Sequence, residues 1–479
     1  MDTGNGLLAG TPAWWAQRIR RRQDQSGFTL IELLVVIIIL GILAAVVVFA
    51  VGGVGDKGEA SAREIDRRTL ATAQEAYFAN NGRYATEAEL VGGGLLSEES
   101  STHKVYLNNA AGSCPAGNRC EFSIGLQDEV STITLYNGRS GAFSDDIITA
   151  FTADTGITVT QVTTGGSSGL ATQILTEGAS TPADVFYSQD AGNLQRVSQA
   201  SLFKKSPAAA TGKVLDPNFQ AVDGTWTGVS GRVRVIAHKP SITSAASVPT
   251  NVDALVAGGS LSPWAGNRVG YDPANASFQN FIAAMIAVRG NTTRIDPLLP
   301  SAQEWLNSLT AIDPDQIMGN RNIAAAVANN TSPTGTLLGL INHYYRFQGA
   351  SGTPTFANAD VANSFPISTT ANKDVGSLVN AAGVGILKNT ANPGAAELFV
   401  RYLLSDSSQE FFSNATTSSG AQNREYPLTA GAQPHPDNKP LSEIASPNTV
   451  LGLDLNTLDN AAAVALLTST GHLPQNYAL

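Results

Sequence analysis

Nineteen consecutive residues, Leu33–Val51, carry no charge and no side-chain hydrogen-bond donor. As a helix rising 1.5 Å per residue the run reaches roughly 28 Å, close to the hydrocarbon thickness of a bilayer. The alternative is a helix buried in a soluble core, but such helices normally keep one polar face and this run has none. The expectation is a single membrane-spanning helix. Arg18, Arg20, Arg21 and Arg22 precede it against Asp2 and Asp24. That excess keeps the N-terminus cytoplasmic and delivers everything after Val51 to the far side. One carboxylate, Glu32, stands at the entrance to the run, where an unpaired charge is costly and points to function. A chain beginning at Phe28 would place a free amine one helical turn away from it.

The 479 residues are 43% hydrophobic and 14% charged, which suits two or three globular domains rather than a disordered chain. A net charge of -10, with no basic stripe beyond the N-terminal arginines, argues against nucleic-acid binding. Cys114 and Cys120 are the only cysteines. Their spacing does not fit zinc ligation, and no partner cysteines exist. In an exported segment a Cys114–Cys120 disulfide is the natural reading, contributing roughly 2 kcal/mol by closing a short loop. Two buried free thiols remain the alternative.

Past the apolar run, Glu59 to Asn80 is rich in helix formers, with Ile65, Ala73, Ala76 and Tyr77 on one face, and Asn81-Gly82 ends it. The segment from Tyr84 to Leu126 is short. Its runs Val105–Leu107 and Phe122–Ile124 are expected to pair as strands, in a unit too small to hold much core. After a polar join at Gln127-Asp128-Glu129 the pattern changes. Strands are expected at 133–137, 157–162 and 184–187, with helices at 145–154 and near 170–176. This alternation indicates an α/β domain with mostly parallel sheets. No long Gly/Ser or Pro-rich linker separates the two units, so close coupling is expected. No second signal sequence precedes Ile133, which leaves the N-terminal segment as the export device.

Two features carry candidate chemistry. Gly165-Gly166-Ser167-Ser168-Gly169 fits G-x-S-x-G between a strand and a helix, the setting of a nucleophile elbow. A glycine turn followed by a capped helix start is the preferred reading, because no oxyanion-hole segment precedes it. The weaker alternative is a serine hydrolase using Ser167. The second feature, Asn342-His343-Tyr344-Tyr345, follows an apolar run. Adjacent tyrosines are usually one core and one surface ring. A phenol with a pKa near 10 is a poor ligand at neutral pH, yet a strongly Lewis-acidic cation displaces its proton. Ferric ion favours such anionic oxygen donors, and off a strand two neighbouring tyrosines can reach one ion.

The unbroken run Gly27-Phe28-Thr29-Leu30-Ile31-Glu32-Leu33-Leu34 resembles the type IV prepilin signal of pilins and pseudopilins. The resemblance implies a leader over 1–27, cleavage after Gly27 by a prepilin peptidase, and methylation at Phe28. Glu32 would pair with a neighbouring N-terminus during assembly with other pilin subunits. It further implies a long helix over 28–80 and a small α+β head over 81–128.

From Ile133 onward the chain resembles bacterial periplasmic ferric-binding proteins of the extracellular solute-binding family. The matching segments are Leu135–Arg139, Pro182–Gly192, Gly228–Arg234, Pro273–Gln279, Leu340–Tyr345, Gly383–Leu387 and Glu425–Leu428. The implied fold is two α/β lobes over 129–479 joined by crossing strands, with the ligand clamped between them. The implied role is not enzymatic: a ferric-ion (Fe3+) binder with an accompanying carbonate or phosphate, delivering to an ABC permease. By the same resemblance Tyr344 and Tyr345 are the paired phenolate ligands, and Asn275, Ser277, Asn320 and Asn342 hold the anion. Arg232 and Arg234 balance charge, their alternative being a solvated strand edge. Some members place a histidine where Ser140 stands, a glutamate where Gln189 stands, or a third tyrosine near Ser277. Here the opposite-lobe candidates are Tyr136, Arg139, Ser140, Gln189 and Asp190, although Asp190 also suits a helix cap. The whole is expected in the bacterial cytoplasmic membrane with its bulk outside, as a surface-displayed binder. The alternative is a minor pilin or pseudopilin whose head serves adhesion or assembly.

Overall fold

The computed structural model describes residues 61–108, 121–207, 211–347 and 361–477. Gly27, Phe28, Glu32, the Leu33–Val51 run, Cys114 and Cys120 lie outside them. Among the described residues no helix is long and apolar enough to cross a membrane.

A helix over 61–81 comes first and stops at Gly82, whose φ of +69° few other residues tolerate. Its buried positions are Leu70, Ala73 and Gln74, whereas Ile65 is 65% exposed and does not belong to the expected face. Gln74 is buried because its amide is satisfied: Nε2 donates to the Ala85 carbonyl (2.5 Å) and Oε1 accepts from the Ala85 N–H (2.9 Å). Strand β1 (His103–Leu107) pairs antiparallel with β2 (Phe122–Leu126), Val105 facing Ile124. The local core is small, Leu70 with Phe122 and Ile124.

This hairpin does not stand alone. Helix Pro393–Leu403, nearly 300 residues on, starts against it. The Glu129 carboxylate accepts from the N–H groups of Gly394 (3.0 Å) and Ala395 (3.4 Å), and from Leu126 (2.7 Å). A carboxylate at a helix N-terminus is favourable both to the orphan N–H groups and to the helix dipole. Ser123 Oγ donates to the Gly394 carbonyl (2.6 Å). A Cβ on Gly394 would run into the backbone of Gly125, so only glycine allows this approach. The coupling expected from the missing linker is thus built from buried polar bonds.

The large domain is one continuous sheet made of two halves. In the first half β3 (Thr132–Asn137) lies parallel to β4 (Thr158–Val162) and β5 (Val185–Ser188). Thirteen-residue β6 (Trp226–His238) is buried along its whole length and serves both halves. The second half holds β7 (Val269–Tyr271), β8 (Asp315–Gln316), β9 (Leu338–Asn342) and short β10 (Ala362–Ser364). The chain then returns as β11 (Val379–Ile386) and ends the sheet with β12 (Tyr426–Pro427). The strand order is β4-β3-β5-β11-β6-β9-β7-β8, with β10 and β12 also on β6. β6 meets β11 and β12 through its first eight residues and β9 and β10 through its last five. The expectation of mostly parallel sheets needs correcting: the crossing strands β6 and β11 pair antiparallel with all their neighbours. Each half keeps parallel strands at its outer edge, where helical crossovers connect them.

Candidate metal and anion site

β9 ends at Asn342 and the chain turns at once into a 3-10 helix, His343–Phe347. The tight turn puts both tyrosines on the same side, their rings 4.5 Å apart and inclined by 36°. Tyr344 is 2% exposed and Tyr345 half-buried. Burial, followed by the adjoining Tyr344 hydroxyl, raises the Tyr345 pKa well above a free phenol's, while Arg232 and Arg139 act the other way. Without a cation Tyr345 therefore keeps its proton, and its hydroxyl is hydrogen-bonded to that of Tyr344. Among the described residues no three His, Cys, Asp or Glu side chains converge as a metal site.

His343 holds this turn in place. The Val233 N–H donates to Nδ1 (3.1 Å), which fixes Nδ1 as the acceptor, so Nε2–H donates to the Arg424 carbonyl (2.8 Å). The ring is neutral, its pKa pushed down to about 4, first by burial.

The first half-sheet contributes a buried ion pair. Arg139 meets Glu425 in a two-pronged contact of 3.1 and 2.7 Å, and Ser230 Oγ donates to the same carboxylate (2.7 Å). Burial works against both charges, but each partner more than offsets it: the Arg139 pKa is raised and the Glu425 pKa lowered. Arg139 also stacks over Phe143 (5.1 Å), and the Phe143 ring meets Tyr344 edge-on (5.1 Å). The two halves of the domain thus touch at the tyrosine pair.

Arg232 and Arg234 are not on a solvated edge. They sit in the centre of β6, 1% and 3% exposed. Arg234 donates to Ser277 Oγ (3.2 Å) and to the Leu340 carbonyl (3.0 Å). Burial lowers its pKa, with Asp272 opposing. Arg232 keeps Nε and Nη2 without a hydrogen-bond partner, and Arg234 keeps Nε. Asn275 caps helix Ala276–Arg289, its Oδ1 accepting from the Ser277 N–H (3.0 Å) and Oγ (2.6 Å) and, at 3.4 Å, from Asn320 Nδ2. Asn320 Oδ1 is buried and unpartnered, and Asn342 faces Arg234 across the β6–β9 ladder. Buried guanidinium N–H groups with no partner, next to a helix N-terminus, are what an anion satisfies.

The opposite-lobe candidates separate. Tyr136 is not brought to the tyrosine pair. Its hydroxyl donates to Glu177 (2.9 Å) and accepts from Gln173 (3.0 Å), and burial together with Glu177 pushes its pKa up to about 12. Asp190 is the helix cap, accepting from the Asn193 N–H (2.9 Å), with Asn460 also on its carboxylate (3.2 Å). Ser140 is exposed and caps nothing with its side chain. Gln189 is half-buried, its N–H donating to Ser167 Oγ (2.8 Å). Ser167 Oγ in turn donates to the Gly138 carbonyl (3.3 Å), so this hydroxyl ties two loop ends. The imidazoles of His238 and His343 are engaged elsewhere, with Thr243 and with Val233 and Arg424, which leaves Ser167 no base from either. Sequence reasoning did not single out Glu425, Phe143 or Tyr187. Tyr187 was expected only as a strand residue and Glu425 only within a matching segment, and nothing local marks a lone carboxylate 286 positions from its arginine.

A prokaryotic N-terminal methylation motif matches residues 22–48. Over 66 residues the chain is 46% identical to the type II secretion system core protein G of Klebsiella michiganensis, 14% of this chain and 46% of that protein. It is 27% identical over 341 residues to the Fe(3+)-binding periplasmic protein of Serratia marcescens, covering 71% of this chain and 90% of that one. Iron-bound HitA from Pseudomonas aeruginosa superposes with a TM-score of 0.59 at 28% identity, over 71% of this chain and 99% of that one. The Trichodesmium protein in complex with iron and citrate does so with a TM-score of 0.54 at 26% identity, over 71% and 99%. These are two-lobed folds built as this domain is. Since the bacterial extracellular solute-binding protein family matches residues 146–440, well over half of the sequence, the chain belongs to that family, with a prepilin-type N-terminus placed ahead of it.

Proposed function

We propose that this protein captures ferric ion outside the bacterial cytoplasmic membrane, to which a single pilin-type helix at Leu33–Val51 anchors it. The observation that carries the reading is the pair of phenols 4.5 Å apart beside buried guanidinium groups with unpartnered N–H atoms. Tyr344 and Tyr345 bind the cation as phenolates. Arg232 and Arg234, with Asn275, Ser277, Asn320 and Asn342, hold a carbonate, phosphate or carboxylate anion. The relatives named for ferric iron support the cargo, and the citrate-bound neighbour supports an organic anion as one option. Approach of the two lobes around the cation excludes competing water. Cleavage after Gly27 by a prepilin peptidase, methylation of Phe28 and a Glu32 contact with a neighbouring subunit follow from the N-terminal motif. An ABC permease is the recipient of the iron.

The test is optical. Ferric citrate added to the purified protein should give a visible phenolate-to-iron band, which Tyr344→Phe with Tyr345→Phe abolishes. A colourless wild-type protein would refute the proposal. A second reading, a minor pilin or pseudopilin whose head serves assembly, draws on the match to the secretion protein and on the rigid junction at Glu129. It predicts that Glu32→Ala blocks incorporation into a polymer while leaving the iron band intact.

A further inference from the structure

A cavity of about 630 Å³ lies where the hairpin meets the large domain, and it shares no residue with the tyrosine site. Ile124 and Leu126 of β2 line it from the hairpin. Helix Pro393–Leu403 contributes Glu397 and Arg401, four residues apart and so on one face. The segment 204–207 contributes the rest, and its backbone is pinned. The Lys204 N–H donates to the Ile386 carbonyl (2.9 Å) and the Ser206 N–H to the Gly224 carbonyl (2.7 Å).

The charges in this cavity divide into engaged and free. Lys204 pairs with Glu397 at 3.0 Å. Glu129 is held by the N–H groups of Leu126, Gly394 and Ala395. Among the described residues no carboxylate pairs with Lys205 or Arg401. Lys205 is exposed. The Arg401 guanidinium lies 5.1 Å from the Phe122 ring centre, and its Nε is buried without a hydrogen-bond partner. Ser206 is only 8% exposed, and its Oγ is buried and equally unpartnered. Buried donors are rarely left without an acceptor in native proteins. Here two of them share a cavity with two cations that no carboxylate has claimed.

We infer that this junction cavity binds a small organic phosphomonoester. Such a group carries close to two negative charges at neutral pH and three strong acceptor oxygens. Lys205 and Arg401 match the charge, and Ser206 Oγ donates to a phosphate oxygen. Ile124, Leu126 and Pro207 face the organic part. The volume also suits a small organic molecule, whereas phosphate alone would leave most of it unfilled. A lipid phosphodiester brings one charge and leaves one cation unmatched. The bound molecule touches the hairpin and the large domain together, so it strengthens their docking. The inference does not rest on the ferric reading.

The experiment titrates glycerol 3-phosphate calorimetrically into full-length, metal-free protein in detergent. Inorganic phosphate and phosphatidylglycerol carried in the micelles are separate arms. Glycerol 3-phosphate is expected to bind at least tenfold more tightly than either. Lys205→Gln changes an exposed side chain and Ser206→Ala removes an unpartnered hydroxyl, so both fold. Each should weaken binding about tenfold, the usual effect of losing a hydrogen bond to a charged group. Neither should alter a ferric phenolate band. Glycerol 3-phosphate should also slow acetylation of Lys205 by acetic anhydride, read by mass spectrometry. Unchanged affinity in both variants, with Lys205 acetylated at its free rate, places the anion elsewhere and overturns the inference. Inorganic phosphate binding as tightly as the ester overturns it, as does phosphatidylglycerol binding as tightly. A wild-type protein that binds no glycerol 3-phosphate overturns it and leaves the ferric reading standing.

Discussion

Acid should loosen the tyrosine turn through one imidazole. His343 is 1% exposed and accepts from the Val233 N–H while donating to the Arg424 carbonyl. A second proton would have to enter at Nδ1, against an N–H already pointing there. The ring's pKa is pushed down to about 4, first by burial and also by Arg346. The unfolded chain, with an ordinary histidine near 6.5, binds that proton first. The sign follows: stability is level above pH 6.5, falls as pH drops towards 4 and then levels off. The slope is about 1.4 kcal/mol per pH unit, so the loss reaches roughly 3 kcal/mol. Other carboxylates and histidines also titrate in this range, and burial lowers the pKa of His238 and His472 as well. A comparison with His343→Gln isolates the one group, since glutamine offers an acceptor and a donor but takes up no proton. Urea midpoints measured from pH 4.5 to 8 on metal-free protein should diverge below pH 6.5, the wild type losing about 2–3 kcal/mol more than the variant by pH 4.5. Parallel curves would show that the imidazole is not the acid-sensitive element. His343→Phe, which leaves the Val233 N–H and Arg424 carbonyl unpaired, should cost about 2–5 kcal/mol at neutral pH.

Glu425→Gln strands the buried Arg139 charge and should destabilise the domain by about 3–5 kcal/mol in urea unfolding. Glu129→Ala unpairs N–H groups of Leu126, Gly394 and Ala395 and should cost about 2–4 kcal/mol, with earlier proteolytic cutting between the hairpin and the large domain. Tyr136→Phe should leave the iron band untouched, because that hydroxyl belongs to Glu177; a bleached band would overturn the assignment. Mass measurement of the native protein should show loss of residues 1–27 and one methyl group added at Phe28.

What the sequence determined alone was whatever depends on near neighbours. The uninterrupted apolar run and the glycine-to-glutamate spacing ahead of it are legible without any fold. So is the strand–helix alternation from Ile133, because burial periodicity is written within a dozen residues. The adjacency of Tyr344 and Tyr345 is a property of the chain itself. Tertiary structure decided which polar groups meet across hundreds of positions. Arg139 with Glu425, and Glu129 with the Gly394 N–H, have no local signature, since nothing near either partner in the chain names the other. The antiparallel centre of the sheet arises because β6 and β11 cross between halves, which no periodicity records. Tyr136 and Tyr187 differ in the same way. Both are tyrosines in short buried strands, and only the packing shows that one hydroxyl is bonded to a carboxylate while the other ring lies beside two arginines.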